Sequence, residues 1–426
     1  MNSKHTGQSR RRFLQIAGIA TVGGLAGCLQ QTGSGSSTDG DATTGDGGSG
    51  GNSIDTVTVG ILSPVSGPFS QLGKLQRQAA KLAVEDVNTS DRFDIEIEAV
   101  YEDTETDPSV GRQKAQKVVK QDDASFIAGC VNSAVALAVA DFAKQAQIVY
   151  TAGGAAMALT DKNCNAYTFR NETNTAQQAA GIVDFVAANL GSKLWIHTAD
   201  YAYGNSAIDQ IKHQIDQAGV DIDIVGTTTP DPGTSNFGPA ISQIEKSPAD
   251  VLAVPLTGGD LINFLKQAAG KGLKADVDII GTAIFAQAIR AAVGAAAAGT
   301  YSSTLYNHKL ETGDNKRFVK QYKDEYGSVP GSFARVGYEA VRMQAHGIQA
   351  ASSGDPTAVK DTLPGLTIPT VLGDTRFRAC DHQSINPVWT GKLVKPKQGK
   401  VPTVDLLQKI PGEDATPACG AACTLG

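Results

Sequence analysis

ASFIAGCVNSAVALAVADFAKQAQIVYTA, residues 124–152, is the stretch that decides the fold. Its apolar ends, 124–129 and 148–152, predict buried strands, and the small residues of 133–146 predict a helix between them. A strand, a helix of this length and a second strand form a βαβ unit, in which the two strands lie parallel. The stretch therefore predicts an α/β fold built on a parallel sheet.

The same alternation continues in both directions along the chain. Before residue 124 it predicts strands 56–62 and 94–100 and helices 72–87 and 110–119. After residue 170 it predicts helices 176–190, 205–218, 237–244 and 261–269 and strands 193–197, 222–227, 251–256 and 277–281. Beyond residue 301 it predicts helices 315–326 and 337–351 and strands 367–372, 376–378 and 388–394.

The length and the two series of elements predict two lobes. From Ile54 onward there are 373 residues, which is too many for one hydrophobic core. The first lobe is expected to comprise residues 54–169 with 301–365, and the second residues 170–300 with 366–408. Residues 409–426 are predicted to form a C-terminal tail.

The N-terminal residues predict export and a membrane tether, and they are excluded from the fold. SRRRFL, residues 9–14, resembles the twin-arginine export signal, and the uncharged run 16–26 is far shorter than the roughly 20 residues that span a bilayer. LAGC, residues 25–28, resembles a lipobox, which predicts a signal peptide over 1–27 and a lipid on Cys28. The alternative is an uncleaved anchor with a chance cysteine. The polar residues of 28–53 predict a disordered linker, so the protein is expected on the outer face of the cytoplasmic membrane.

Five cysteines follow Cys28, and an exported chain permits disulfides. Because five is odd, at least one thiol stays unpaired or pairs elsewhere. A local Cys419–Cys423 disulfide is the first expectation, and Cys164–Cys380 is a possible long-range bridge. Cys130 ends an apolar run and is expected to be a buried small residue. No metal site is predicted in the tail, because no His or further Cys lies near that pair.

Charge and motifs exclude several classes of function. The formal net charge is −6, and removal of residues 1–27 with their four cations makes it −10, so a basic footprint for nucleic acid is missing. The sequence has no G-x-S-x-G elbow, no P-loop and no G-x-G-x-x-G after its first strand, and its histidines lack metal-ligand spacing. An enzyme, a cofactor and a metal are therefore not predicted. An unrecognised hydrolase and a receptor that feeds signalling remain the alternatives.

Loops after the predicted strands carry the candidate ligand residues, because parallel sheets bind ligands beyond the carboxyl ends of their strands. These loops are residues 63–73, 129–134, 151–156, 200–204, 256–260 and 281–285. Their marks, in order, are Ser66-Gly67-Pro68, Tyr101-Glu102-Asp103, the segment 129–133, Phe169-Arg170, Tyr203-Gly204 and Gly337-Tyr338-Glu339-Ala340. In order and spacing they resemble the leucine/isoleucine/valine-binding family of type I periplasmic binding proteins over residues 54–407.

The resemblance implies a clamshell of two doubly wound parallel-sheet lobes joined by three crossovers. It further implies a small ligand in the cleft, held for delivery to the permease subunits of an ABC importer, and no contact with the membrane besides the lipid. The ligand-binding positions that it implies are Ser133, Asn132, Gly153, Ala155, Tyr203, Phe333, Leu72, Thr257 and Ala283. Ser133 opens a helix, where its hydroxyl and free N–H groups would hold a carboxylate, or it is an ordinary N-cap.

Two positions depart from the amino-acid binders of this family. Ala155 stands where those proteins use a Thr hydroxyl, and Ala283 stands where they place a Glu against the ligand's ammonium group. A buried ammonium without a partner is costly. Either Asp200 or Asp260 replaces the missing acid, or the ligand has no ammonium and is urea, a short amide or a small carboxylate.

Overall fold

The first lobe is built on a parallel sheet with the strand order β2-β1-β3-β4-β5. In the computed structural model of the protein, residues 56–396 and 399–425 are described, so the predicted signal peptide, lipobox and linker lie outside the described residues. The strands are β1 (Val57–Ser63), β2 (Ile97–Asp103), β3 (Phe126–Gly129), β4 (Val149–Ala152) and β5 (Thr168–Arg170). The helices that connect them are α1 (Ser70–Thr89), α2 (Pro108–Lys120) and α3 (Ser133–Ala146).

The second lobe continues the alternation on a second sheet. Its first strands are β6 (Lys193–His197), β7 (Asp223–Thr228), β8 (Val251–Val254), β9 (Asp278–Gly281) and β10 (Tyr301–Thr304). Its helices are α4 (Thr175–Asn189), α5 (Ala202–Ala218), α6 (Gly238–Glu245), α7 (Gly258–Lys271) and α8 (Gln287–Val293).

The rest of the chain adds elements first to the first lobe and then to the second. It forms α9 (Gly313–Tyr326), α10 (Ser332–Ala351), α11 (Pro356–Thr362) and a hairpin of β11 (Ile368–Thr370) and β12 (Gly373–Thr375). It ends with β13 (Val388–Val394), β14 (Thr403–Ile410) and α12 (Gly412–Ala415). The second sheet has the order β14-β13-β10-β9-β8-β6-β7, in which β13 runs antiparallel to both of its neighbours.

Each sheet is covered by helices on both faces, because alternate residues of its strands point to opposite sides. In β3, Phe126 and Ala128 pack with α1 and α10, whereas Ile127 packs with α2 and α3. In β8, Leu252 and Val254 face α6 and α7, and their neighbours along the strand face α4 and α5. The predicted α/β fold with two lobes is confirmed, with an antiparallel edge added to the second sheet.

Three crossovers join the lobes, after β5, after β10 and between β12 and β13. The predicted lobe boundaries differ from these positions in two places. Residues 301–304 were expected in the first lobe, but β10 pairs with β9 and β13 in the second sheet. Residues 366–377 were expected in the second lobe, but Ile368, Val371 and Phe377 are buried in the first core. The predicted strand 376–378 is likewise displaced, since the strand there is Gly373–Thr375.

The disulfides pair differently from the expectation. Cys164 is bonded to Cys423 and Cys380 to Cys419, with Cα atoms 5.5 and 6.3 Å apart. The predicted Cys419–Cys423 and Cys164–Cys380 pairs are therefore wrong, because the tail folds back and offers one cysteine to each of two loops of the first lobe. Cys130 is free and buried, which confirms its predicted role as a small core residue.

Two further findings concern metals and membranes. Within residues 56–396 and 399–425, the grouping dense enough to hold a metal ion is Cys380, Asp381 and Cys419. Its two cysteines are bonded to each other, so they offer no thiolate ligand. The helices in this part of the chain include none that is both long and apolar enough to cross a bilayer.

Candidate functional site

A cavity lies between the two lobes, where the carboxyl ends of strands from both sheets converge. The first lobe contributes Ser133 after β3, Ala155 after β4 and Glu172 after β5. The second lobe contributes Tyr203 after β6 and Thr257 after β8. The space between these side chains, counted together with the part that is open to solvent, is about 530 Å³. We call this space the inner cavity.

Most of the ligand-binding positions implied by the resemblance lie in this region. Those that line the inner cavity are Ser133, Ala155, Tyr203, Thr257, Ala283 and Phe333. Asn132 lines an adjoining space nearer the solvent, which we call the outer cavity. Leu72 and Gly153 line neither cavity. Leu72, in α1, is buried in an apolar cluster that includes Phe69 and residues of the second lobe. The Gly153 N–H donates to the Gly129 carbonyl at 2.7 Å, where the parallel strands β3 and β4 end side by side.

The donors expected to hold a ligand carboxylate are largely occupied within the chain. The Ser133 hydroxyl oxygen accepts the N–H groups of Ala155 and Ala156, each at 3.1 Å. The side chain of Asn132 caps α3 by accepting the N–H groups of Ala134 and Val135 at 2.8 and 3.2 Å. The hydroxyl hydrogen of Ser133 is the donor that this cluster leaves for a ligand.

Glu172 is a site residue that sequence reasoning missed. Its side chain is 5% exposed and lines the inner cavity. One carboxylate oxygen, Oε2, accepts the Gly154 N–H at 2.6 Å. Burial raises the pKa of Glu172, against the opposing effects of that hydrogen bond, Arg335 and Arg170. The available signal was an acid two residues after the short strand Thr168–Arg170, which was not predicted as a strand.

Arg170 fixes the loop beneath Glu172. Its side chain is fully buried, and its guanidinium donates to Gln383 Oε1 at 2.6 Å, to the Ala156 carbonyl at 2.5 Å and to the Thr160 hydroxyl. Burial lowers the pKa of Arg170 to about 9, so the group remains charged at neutral pH. The charged group therefore connects the 154–160 segment of the first lobe to the crossover that contains Gln383.

The opposite wall is polar and belongs to the second lobe. The Tyr203 hydroxyl donates to Gln178 Oε1 at 3.0 Å and lies within hydrogen-bond distance of Thr282. The hydroxyls of Tyr201 and Thr257 lie 3.5 Å apart. Burial raises the pKa of both phenols, which keeps them neutral. The wall thus offers neutral hydroxyl and amide groups, and Ala283 beside them adds no charge.

The two acids proposed as replacements at Ala283 lie elsewhere. Asp260 lines the outer cavity, and both of its carboxylate oxygens lie 3.1 Å from the Gly233 N–H. Asp200 is exposed and accepts a hydrogen bond from the Asn205 side chain at 3.0 Å. Neither lines the inner cavity, so neither occupies the place of the missing acid.

The lobes touch at the mouth of the cleft. Phe69, just before α1, lies 6.4 Å from Tyr201 between ring centroids. Gly258, which opens α7 with a φ of +59°, faces the ring of Phe69. A Cβ atom built on Gly258 would lie 2.6 Å from Phe69 Cδ1. A Cβ atom at position 258 would therefore require the Phe69 ring or the lobes themselves to shift.

Comparison with known proteins gives concordant results. A family model described as periplasmic binding protein matches residues 56–400. A Leu/Ile/Val-binding protein homologue from Brucella abortus is 26% identical over 364 residues, which cover 82% of this chain and 94% of that protein.

Two solved structures share the fold. An amino acid ABC transporter substrate-binding protein from Pseudomonas fluorescens is 24% identical, with a TM-score of 0.78 over 87% of this chain and 100% of its own. An ABC transporter solute-binding protein from Rhodopseudomonas palustris, solved with 3,4-dihydroxybenzoic acid, is 24% identical, with a TM-score of 0.75 over 84% of this chain and 98% of its own.

Proposed function

This chain belongs to the periplasmic binding protein family, of the Leu/Ile/Val-binding type, and from that premise we propose that it is the extracytoplasmic solute receptor of an ABC importer. It binds a small solute between its lobes and delivers it to a membrane permease. The observation that supports this best is the inner cavity, whose polar lining comes from both lobes. A ligand that contacts both walls stabilises the closed arrangement of the lobes.

The activity proposed is binding without turnover, and a thermal-shift screen tests it. The panel comprises amino acids, short amides, urea, and aliphatic and aromatic carboxylates. A ligand present at about 100 times its dissociation constant stabilises the folded state by about 2.7 kcal/mol. Consumption of a bound solute during the assay would instead support an enzyme.

The first candidate ligand is an amino acid of the branched-chain type, as the name of the Brucella relative suggests. A small carboxylate, aromatic or aliphatic, is the second. It is favoured by Ala283, which leaves the second-lobe wall without an acid, and by the Rhodopseudomonas relative, which was solved with an aromatic acid. Urea and short amides also lack an ammonium group. The same screen ranks these classes directly. Transport is separated from sensing by uptake of the ranked solute in cells with and without the gene.

Replacement of Ser133 by Ala should weaken ligand binding by about 1.5–3 kcal/mol, the range for a hydrogen bond to a charged group. The variant also leaves the N–H groups of Ala155 and Ala156 without their acceptor, so the melting temperature should fall as well. Calorimetric titration with the best panel ligand measures the first effect. Ser332→Ala, on the same cavity, is the control. A lower melting temperature with unchanged affinity would leave Ser133 with a structural role alone, as the acceptor of the Ala155 and Ala156 N–H groups.

Replacement of Gly258 by Ala should oppose closure of the cleft, because the new Cβ atom meets Phe69. We expect at least a tenfold weaker affinity, equivalent to about 1.4 kcal/mol. Two controls separate the causes. Gly272→Ala adds the same positive-φ strain with no atom within 4 Å, and Gly259→Ala adds neither effect. Equal affinities for the Gly258 and Gly272 variants would show that the contact with Phe69 does not limit closure.

We also propose that Cys28, which lies outside the described residues, is lipidated after removal of residues 1–27, so that the protein stays on the outer face of the cytoplasmic membrane. Its support is the SRRRFL and LAGC pair in the printed sequence. Cys28→Ser should release the protein into the medium or leave it unprocessed, as judged by fractionation and mass spectrometry. Normal processing with membrane retention would exclude the lipid.

A further inference from the structure

We propose that Glu172 selects the charge of the ligand by accepting a hydrogen bond from an ammonium or other cationic N–H group. The inference rests on the proposed function and deepens it. The ligand class that follows is a small molecule with a cationic nitrogen at Glu172 and an oxygen acceptor within reach of the Ser133 hydroxyl. Glu172 therefore takes the role of the acid that is missing at Ala283, but from the opposite lobe.

The geometry of the carboxylate supports this role. Oε2 is held in place by the Gly154 N–H at 2.6 Å, which fixes the orientation of the side chain. Oε1 takes part in none of the hydrogen bonds found among residues 56–396 and 399–425, while the side chain as a whole is 5% exposed and borders the inner cavity. Oε1 is not among the fully buried atoms that lack a partner, so it is accessible from the cavity, where a ligand or water can supply the donor that a largely buried carboxylate needs.

Arg335 and Arg170 act on Glu172 electrostatically and favour its ionised form, but among the described residues neither is hydrogen-bonded to its carboxylate. Arg170 directs its guanidinium to Gln383, Thr160 and the Ala156 carbonyl, and Arg335 donates through Nη1 to the Asn171 carbonyl at 2.7 Å. Neither arginine lies within 4.0 Å of the Glu172 carboxylate as an ion pair in the described residues. A cationic group of the ligand can therefore bind at Oε1.

The alternative is that Glu172 stays protonated and donates its proton to a ligand carboxylate. A carboxylic acid in an apolar site can do this, and burial does raise the pKa of Glu172. We favour the ammonium because the Gly154 nitrogen lies only 2.6 Å from Oε2, the short distance expected of a hydrogen bond to an ionised acceptor. The two cases predict opposite responses to the same substitution.

The experiment compares two pairs of probes that differ in the ammonium group alone: L-leucine with 4-methylpentanoate, and L-phenylalanine with 3-phenylpropanoate. Dissociation constants are measured by calorimetry on the wild type, Glu172→Gln and Asp260→Asn. Gln retains an oxygen for the Gly154 N–H, and Asp260→Asn is the control acid of the outer cavity. Melting temperatures of the free variants verify that they are folded.

We expect the wild type to bind the ammonium member of at least one pair about 100-fold more tightly, since a buried charge pair is broken when either partner is removed. Glu172→Gln should reduce that preference to within about threefold, and Asp260→Asn should leave it unchanged.

Three results would overturn the inference alone: an unchanged preference in Glu172→Gln, tighter carboxylate binding in that variant, or loss of the preference in Asp260→Asn. Wild-type binding of the deaminated acids without either amino acid would do the same and leave the proposed solute receptor standing. If no solute of the wider panel binds to the wild type, the proposed function fails, and this inference fails with it.

Discussion

Replacement of Arg170 by Met is expected to lower the free energy of unfolding by about 3–5 kcal/mol, because it deprives several buried acceptors of one charged donor. Arg170 is fully buried and binds Gln383, the Ala156 carbonyl and Thr160 at once. Each acceptor left without a partner costs about 1–3 kcal/mol. A methionine fills most of the volume, so the loss comes mainly from hydrogen bonding and less from an empty cavity.

Urea unfolding measures this effect, with the midpoint and the slope fitted separately. Arg376→Met is the matched control, since Arg376 is 46% exposed on its side chain and pairs with the exposed Glu413. That variant should stay within about 0.5 kcal/mol of the wild type. An Arg170→Met protein as stable as the control would mean that water replaces the guanidinium.

The same substitution should also affect binding. Arg170 holds the Ala156 carbonyl, and the adjoining Ala155 and Gly154 N–H groups bind Ser133 and Glu172. Movement of this loop displaces both ligand groups. We therefore expect Arg170→Lys, which keeps the charge without the planar set of donors, to weaken binding even where it folds.

Loss of the Cys164–Cys423 disulfide is expected to cost about 2–5 kcal/mol. This bond closes a sequence separation of 259 residues, whereas Cys380–Cys419 closes 39. In the chain-entropy model the longer loop gives the larger stabilisation, by about 1.7 kcal/mol for these two separations. The Cys164→Ala/Cys423→Ala protein should thus be less stable than the Cys380→Ala/Cys419→Ala protein.

Urea unfolding with and without dithiothreitol measures both effects, and peptide mapping verifies the pairing. Cys130→Ala is the control, because Cys130 is buried and free and its replacement should leave the response to reductant unchanged. Identical midpoints in oxidising and reducing conditions would contradict the expected stabilisation. Peptides that join Cys419 to Cys423 would contradict the pairing itself.

Much of the fold could be predicted because its signals are local. The predicted bounds of α3, β6 and β13 agree with the structure. Ser133 was the residue considered as the N-cap of α3, but the cap is Asn132, one position earlier, and Ser133 is the first residue of the helix. Long apolar strands, and helices that end in capping residues, can be predicted from their own residues alone.

The strands that were not predicted from the sequence are those that depend on contacts with distant parts of the chain. β10 has the polar sequence Tyr301-Ser302-Ser303-Thr304 and is buried because it lies between β9 and β13. β14 is an edge strand whose apolar residues are partly exposed, such as Leu407 at 52%. The disulfide partners depend on where the tail folds back, which no spacing of cysteines can specify.

The loops that form the candidate site could be predicted from the sequence, but the hydrogen-bond partners of the residues in them could not. Parallel strands direct their carboxyl ends to one edge, so Ser133, Ala155 and Tyr203 could be expected there. The bonds that occupy Ser133 could not, because they join α3 to the segment after β4, and the two meet only in the folded chain. Glu172 escaped notice since the three-residue strand before it is too short to give a periodic pattern.

The first lobe is formed from two separate stretches of the chain, and this affects the order in which the lobes fold. Its core joins residues 57–169 to residues 306–377, and α1 packs on α10, which follows it by more than two hundred positions. Contacts of such long range form slowly, because a large loop must close before they contribute. The second lobe contains β6–β9 and their helices as one uninterrupted stretch, so it can assemble while synthesis continues. Residues 57–169 are therefore synthesised before the second lobe but acquire their native core late, after α10 has left the ribosome.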